Sequence, residues 1–106
     1  MKTISATDLH TLLQESESPP LLLDVREPSE FDYCRIEASQ LIPMQTVPQH
    51  LNTLPKDKTI ITICHHGMRS QQVAQYLLQQ GFTDVINLTG GVHAWARDVD
   101  NSMPTY

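Results

Sequence analysis

Cys64 ends the run Thr59-Ile-Ile-Thr-Ile63 and opens Cys64-His-His-Gly-Met-Arg69-Ser70, which leads straight into the helical pattern Gln71-Gln-Val-Ala-Gln-Tyr-Leu-Leu-Gln-Gln80. A chain that leaves a strand, turns through a short glycine-containing loop and enters a helix exposes several unpaired N–H groups at one point. The positive end of the helix dipole lies behind them. Such a junction stabilises an anion, either a bound oxyanion or the thiolate of Cys64, whose pKa is expected below that of a free cysteine. Arg69 adds a permanent positive charge at the far end of the loop. The pattern predicts an enzyme built around one activated cysteine, in preference to the buried, inert thiol that a free cysteine often is.

The neighbouring side chains divide by what that chemistry needs. Arg69 is expected to orient an anionic donor through paired hydrogen bonds, its alternative being a salt bridge that anchors the helix start. Gly67 is expected to bring the loop backbone close to the sulfur or to take a positive φ. His65 and His66 line the loop and either tune its electrostatics or are exposed without a catalytic duty. Met68 is a pocket wall or simply exposed, and Ser70 opens the helix.

Asp24 and Arg26 end the apolar run Leu21-Leu-Leu-Asp-Val25. If that strand is parallel to Thr59–Ile63, they reach the same edge of the sheet as Cys64 and pin neighbouring loops by ion pairing. Cys34 is a second thiol with two readings, a resolving thiol that attacks a modified Cys64 or a partly buried spectator; the second is favoured. His93 reads as structural and Trp95 as a core anchor.

The elements that must position these groups alternate. Ser5-Ala-Thr-Asp8 has capping-box spacing, and Leu9, Leu12 and Leu13 follow at helical intervals as far as Ser18-Pro19-Pro20. Leu21–Val25 reads as a strand buried on both faces. Pro28-Ser-Glu-Phe31 suits a first helical turn, and Gln40-Leu-Ile-Pro43 a short strand. Val47, Leu51 and Leu54 fall at helical spacing before the turn Pro55-Lys-Asp-Lys58. The helix from about Ser70 to Gln80 places Val73, Ala74, Leu77 and Leu78 on one face and stops at Gly81. Val85–Leu88 is the last strand, and Gly90-Gly91 turns the chain into a short helix with Val92, Ala94 and Trp95. Strands alternating with helices predict one α/β domain over residues 1–106 with a mainly parallel sheet, its tail from 98 to 106 loosely held.

Composition narrows the partners. With 40% hydrophobic and 18% charged residues, 106 residues make one modest core. A net charge of -5, with only seven Lys and Arg spread along the chain, argues against nucleic acid. No run spans a membrane, and the N-terminus lacks the apolar stretch of a secretion signal, so the expected location is cytoplasmic. Two cysteines in a reducing compartment do not predict a disulfide. Metal ligation is not expected either: there is no Cys-x-x-Cys or His-x-x-x-His spacing, and adjacent His65 and His66 would point apart in extended or helical backbone.

Several separated motifs, in order, resemble the rhodanese-like domain family of single-domain sulfurtransferases. They are Leu22-Leu-Asp-Val-Arg-Glu-Pro28, Glu30-Phe31, Ile42-Pro43, Ile61-Thr-Ile-Cys-His-His-Gly-Met-Arg-Ser70, Gly81-Phe and Leu88-Thr-Gly-Gly-Val-His-Ala-Trp95. The resemblance covers nearly the whole chain. It departs where the family commonly has Gly-His-Ile and a Gly-Ala pair: here stand Cys34-Arg35-Ile36 and Ala38-Ser39. It implies a three-layer α/β domain with a parallel sheet of about five strands and helices on both faces.

The implied activity is sulfurtransferase chemistry at Cys64. The thiolate takes the outer sulfur of thiosulfate or a similar small donor, becomes a persulfide, and passes the sulfur to cyanide or to a thiol or protein acceptor. No cofactor is required, because Cys64 carries the sulfur covalently. The same architecture supports a persulfide carrier for a partner protein, and it supports cysteine phosphatases or arsenate reductases, since N–H groups and an Arg also hold a tetrahedral oxyanion. Four residues separate Cys64 from Arg69. Phosphatase signatures place one more there, so the shorter loop favours sulfur.

Overall fold

A computed structural model describes residues 1–106. Five strands form one sheet: β1 (Lys2–Ile4), β2 (Leu21–Asp24), β3 (Gln40–Leu41), β4 (Ile60–Ile63) and β5 (Val85–Leu88). The order is β1-β5-β4-β2-β3, and every neighbouring pair is parallel. Helices α1 (Ala6–Glu15), α2 (Pro28–Tyr33) and α3 (Met68–Gln79), with a 3-10 helix at Met44–His50, supply the crossovers, and α4 (Gly91–Asp98) follows the last strand. No helix is long and apolar enough to cross a membrane.

Side-chain alternation in the central strands sorts the core into two layers. Leu22, Ile61, Ile63 and Leu88 join Leu9 of α1, Val92 and Trp95 of α4, and Cys34 and Met103 in one cluster. Leu23, Ile60, Cys64 and Val85 join Val73, Ala74 and Leu77 of α3, with Val47 and Phe82, in the other. Ile60, Thr62 and Cys64 share a parity, so the strand that positions Cys64 also chooses its face. It is the face covered by α3.

A local signal acts at one end of each of the two longest helices. Ser5 Oγ accepts the Asp8 N–H at 3.1 Å and caps α1. Gly81, at φ 95°, ends α3, and the Phe82 N–H reaches back to the Leu77 carbonyl at 3.1 Å.

Four departures from the sequence reading have physical causes. Edge strand β1 has three mostly exposed residues, too few for a periodic signal. Val47 and Leu54 are buried as their spacing suggests, but Pro48 lies between them and the segment forms a 3-10 helix with turns. Leu78 is 38% exposed, and the buried stripe of α3 runs through Ser70 instead. The tail, expected to be loose, is tied down: Met103 is buried in the first cluster and the Tyr106 hydroxyl hydrogen-bonds to Arg26 and Glu30.

A close backbone approach joins α4 to the Cys64 loop. Val92 N–H donates to the Cys64 carbonyl at 2.9 Å and His93 N–H to the His65 carbonyl at 3.1 Å. Gly91 makes this contact possible, because at φ 58° any Cβ would collide with the carbonyls of Cys64 and His65. Gly81 is also at positive φ, yet a Cβ there meets only Lys56 Nζ at 3.4 Å. Gly91→Ala is therefore expected to cost about 3 kcal/mol or more in urea unfolding, and Gly81→Ala about 1 kcal/mol. Equal losses would show that the α4 contact is not tight.

Candidate active site

Strand β4 delivers Cys64 to the carboxyl edge of the sheet, where parallel α/β domains place their ligands. The residue is 1% exposed. Its Sγ accepts the Gly67 N–H at 3.0 Å and lies 3.3 Å from Ser70 Oγ. Gly67 precedes α3 with φ 104°, and its missing side chain leaves room for the Leu88 carbonyl and Gly90 N, each 3.3 Å from where a Cβ would stand. Gly67 N–H, the Ser70 hydroxyl and the N-terminus of α3 thus converge on one sulfur. Donors gathered in this way at a helix start suit an anionic acceptor.

Behind the loop stands Asn87 of β5, the register partner of Thr62 on β4. Its Nδ2 donates to the Gly67 carbonyl at 3.0 Å, and its Oδ1 faces Ser70 Oγ at 2.5 Å and Thr62 Oγ1 at 3.2 Å. Ser70 has one hydroxyl proton for two acceptors, Asn87 Oδ1 and Cys64 Sγ. Thr62 can supply Oδ1 when Ser70 turns to sulfur, so no buried oxygen is stranded in either arrangement.

A second network meets the loop from α2. Arg26 is fully buried and grips Asp24 through Nε and Nη2, the latter at 2.7 Å. The same guanidinium donates to the Cys34 carbonyl at 2.6 Å, the Glu30 carbonyl at 3.3 Å and the Tyr106 hydroxyl at 2.9 Å. Glu30 then takes Arg69 in a two-point pair, at 2.7 and 2.9 Å, and accepts the Tyr106 hydroxyl at 2.8 Å. Arg69 hydrogen bonding, opposed in part by burial, pushes the Glu30 carboxyl down to about 2. Burial is the largest influence on Tyr106 and pushes its hydroxyl up to about 12, which keeps it a neutral donor.

The predicted residues are brought together unevenly. Gly67, Ser70 and Cys64 touch. Arg69, expected to face the donor, is instead held by Glu30, the salt-bridge arrangement that was its alternative. Its charge still acts on Cys64 through space. His65 is half-buried and stacks on Tyr106 at 3.8 Å, His66 is exposed, and Met68 is 76% exposed. Adjacent His65 and His66 do not point apart: the loop is neither extended nor helical there, and their rings lie 4.0 Å apart. Cys34 belongs to the cluster on the opposite face of the sheet from Cys64. A groove of about 1010 Å³ lined by Leu13, Ile36, Trp95 and Met103 also lies on that opposite face, away from the loop.

Sequence reasoning missed Asn87, Thr62, Glu30 and Tyr106 as members of the site. An Asn and a Thr inside apolar strands were the available signal for the first two, since a polar side chain buried there needs a partner.

Two tests follow from these networks. Asn87→Ala should cost about 1–3 kcal/mol in urea unfolding, because it leaves the buried Thr62 hydroxyl short of an acceptor, leaves Ser70 only the weaker acceptor Cys64 Sγ and removes one donor from the Gly67 carbonyl. Glu30 is depressed from its ordinary 4.5 to about 2, so its stabilising contribution is complete above pH 4.5 and is lost as pH falls toward 2. The stability difference between the native chain and Glu30→Gln should therefore shrink across that window. A difference that stays constant would mean that the Arg69 pair is not formed in solution.

The comparisons agree with this architecture. A model of the Rhodanese-like domain family matches residues 5–98. A sulfurtransferase from Allochromatium vinosum is 38% identical over 94 residues, covering 89% of this chain and 87% of its own length. The thiosulfate sulfurtransferase GlpE of Shewanella oneidensis is 29% identical over 96 residues, covering 90% and 95%. The crystal structure of a rhodanese-like domain protein from Staphylococcus aureus superposes with a TM-score of 0.86 at 36% identity, covering 100% of this chain and 99% of its own. Other relatives are longer, and the chain spans 38% or 27% of their length. By its family match and its relatives, the chain belongs to the rhodanese-like domain family.

Proposed function

We propose that this protein is a sulfurtransferase that works through a persulfide on Cys64. The observation that carries the reading is the hydrogen bonding of Cys64 Sγ, which receives the Gly67 N–H and faces Ser70 Oγ at the start of a twelve-residue helix. The relatives named as sulfurtransferases support the reaction class.

The chemistry divides one difficult transfer into two substitutions at sulfur. The Cys64 thiolate attacks the outer sulfur of thiosulfate or a similar donor. The donor's S–S bond breaks, sulfite leaves with the electron pair, and Cys64 carries a terminal persulfide sulfur. A thiolate or cyanide then attacks that outer sulfur and leaves with it, returning Cys64 as thiolate. Neither step needs a general base once the thiolate has formed, and neither needs a cofactor. Gly67 N–H and Ser70 hold the negative sulfur, and Arg69, fixed by Glu30, contributes its field and anchors the helix start. Asp24 and Arg26 position the loops around them.

A phosphoryl-transfer reading fits less well. Such chemistry needs a guanidinium turned toward a tetrahedral oxyanion around the thiol. Here the loop has four residues between Cys64 and Arg69, and the Arg69 guanidinium is closed on a carboxylate.

Intact-protein mass spectrometry after thiosulfate treatment checks the reading. The expected result is a gain of one sulfur atom, reversed by cyanide, absent in Cys64→Ser and unchanged in Cys34→Ser. Donor turnover without any such adduct would sink the persulfide, and efficient hydrolysis of a phosphate ester without sulfur transfer would replace the reading.

A further inference from the structure

Three imidazoles meet beside the Cys64 loop, and sulfur transfer gives none of them a role as acid, base or nucleophile. His65 and His66 come from the loop, and His93 from the first turn of α4. Ring centroids are 4.0 Å apart for His65 and His66, 5.0 Å for His66 and His93, and 6.1 Å for His65 and His93. One ring nitrogen from each residue lies within 4.8 Å of those of the other two. Two ring nitrogens in this cluster, His65 Nε2 and His93 Nδ1, are shielded from solvent and have no hydrogen-bond partner. Buried polar atoms are normally paired, so two orphans in one cluster leave an unmet demand.

We propose that His65, His66 and His93 form a binding site for a divalent transition metal, with zinc as its ligand. Imidazole nitrogen is a preferred donor for zinc, and three histidines with an open fourth position are an established zinc set. Tetrahedral zinc would hold the nitrogens roughly 3.3 Å apart, so the cluster closes by a modest rotation of its rings. Exposed His66 is free to make that movement. His65 and His93 are already coupled through the backbone, by the His93 N–H to the His65 carbonyl at 3.1 Å.

The surrounding charges permit a cation. Arg69 is neutralised by Glu30 and Arg26 by Asp24. Ligation also requires neutral imidazole. Metal bound here would tie the loop that follows Cys64 to the start of α4.

Untagged, reduced, metal-free full chain titrated with cobalt(II), followed by zinc(II) in competition, tests the site independently of any sulfur transfer. The expected result is one saturable equivalent of cobalt with tetrahedral visible bands, no thiolate-to-cobalt band in the near ultraviolet, and displacement by zinc. Cys64→Ser should bind as the native chain does. His66→Ala and His93→Gln should each weaken binding by more than about tenfold, at least the scale on which even outer contacts of a metal act. His66 is exposed, so its variant tests the site even if His93→Gln fails to fold. No saturable equivalent, an affinity unchanged in His66→Ala, or binding that disappears in Cys64→Ser would each overturn the proposal.

Discussion

The buried pair of Asp24 and Arg26 is the constraint on which the carboxyl edge of the sheet depends. A guanidinium with no solvent exposure carries a desolvation penalty of several kcal/mol, which only a complete set of partners can offset. Arg26 finds them in Asp24, the carbonyls of Glu30 and Cys34, and the Tyr106 hydroxyl. Meeting that demand has a structural consequence. It draws α2, the segment after it and the tail onto the end of β2. Glu30 is thereby held where it can take Arg69, the second residue of α3.

The other side of the loop is held by strand pairing. Thr62 and Asn87 are opposite each other in the sheet, and both face α3 because side chains alternate along β4 and β5. Ser70, fully buried on the stripe of α3 that packs there, completes a polar cluster behind Cys64. Gly91 lets α4 press on the loop from above. The sulfur is thus surrounded by backbone and side-chain donors that packing has already oriented. An anionic sulfur at this position would need little reorganisation of those donors.

Legibility followed the range of the interaction. The strand and helix around Cys64, the proline at the start of α2, the glycine stop of α3 and the α/β class were readable because each depends on neighbours a few residues apart. The failures lie where the partner is remote. Glu30 and Arg69 are 39 positions apart, and Arg26 and Tyr106 are 80 apart. No local pattern announces such pairs. Leu78 was assigned to the buried face of α3 on periodicity, yet that face turns toward Ser70 because the helix must present its first turn to the Cys64 sulfur.

From the order of residues alone came the candidate nucleophile, Cys64, the glycine that precedes α3, the strand-to-helix junction that joins them and the likeness of the whole chain to the rhodanese-like family. These are local features of covalent sequence, and the physics of a strand-to-helix turn acts within it. Tertiary structure decided what the charged and aromatic side chains do. It turned Arg69 onto Glu30, made Asn87 the link between loop and sheet, docked Tyr106, placed Cys34 on the opposite face from Cys64 and gathered His65, His66 and His93. The polar pairings among these outcomes depend on which buried group most needs a partner once the chain is packed, and all of them on residues brought together only by the fold.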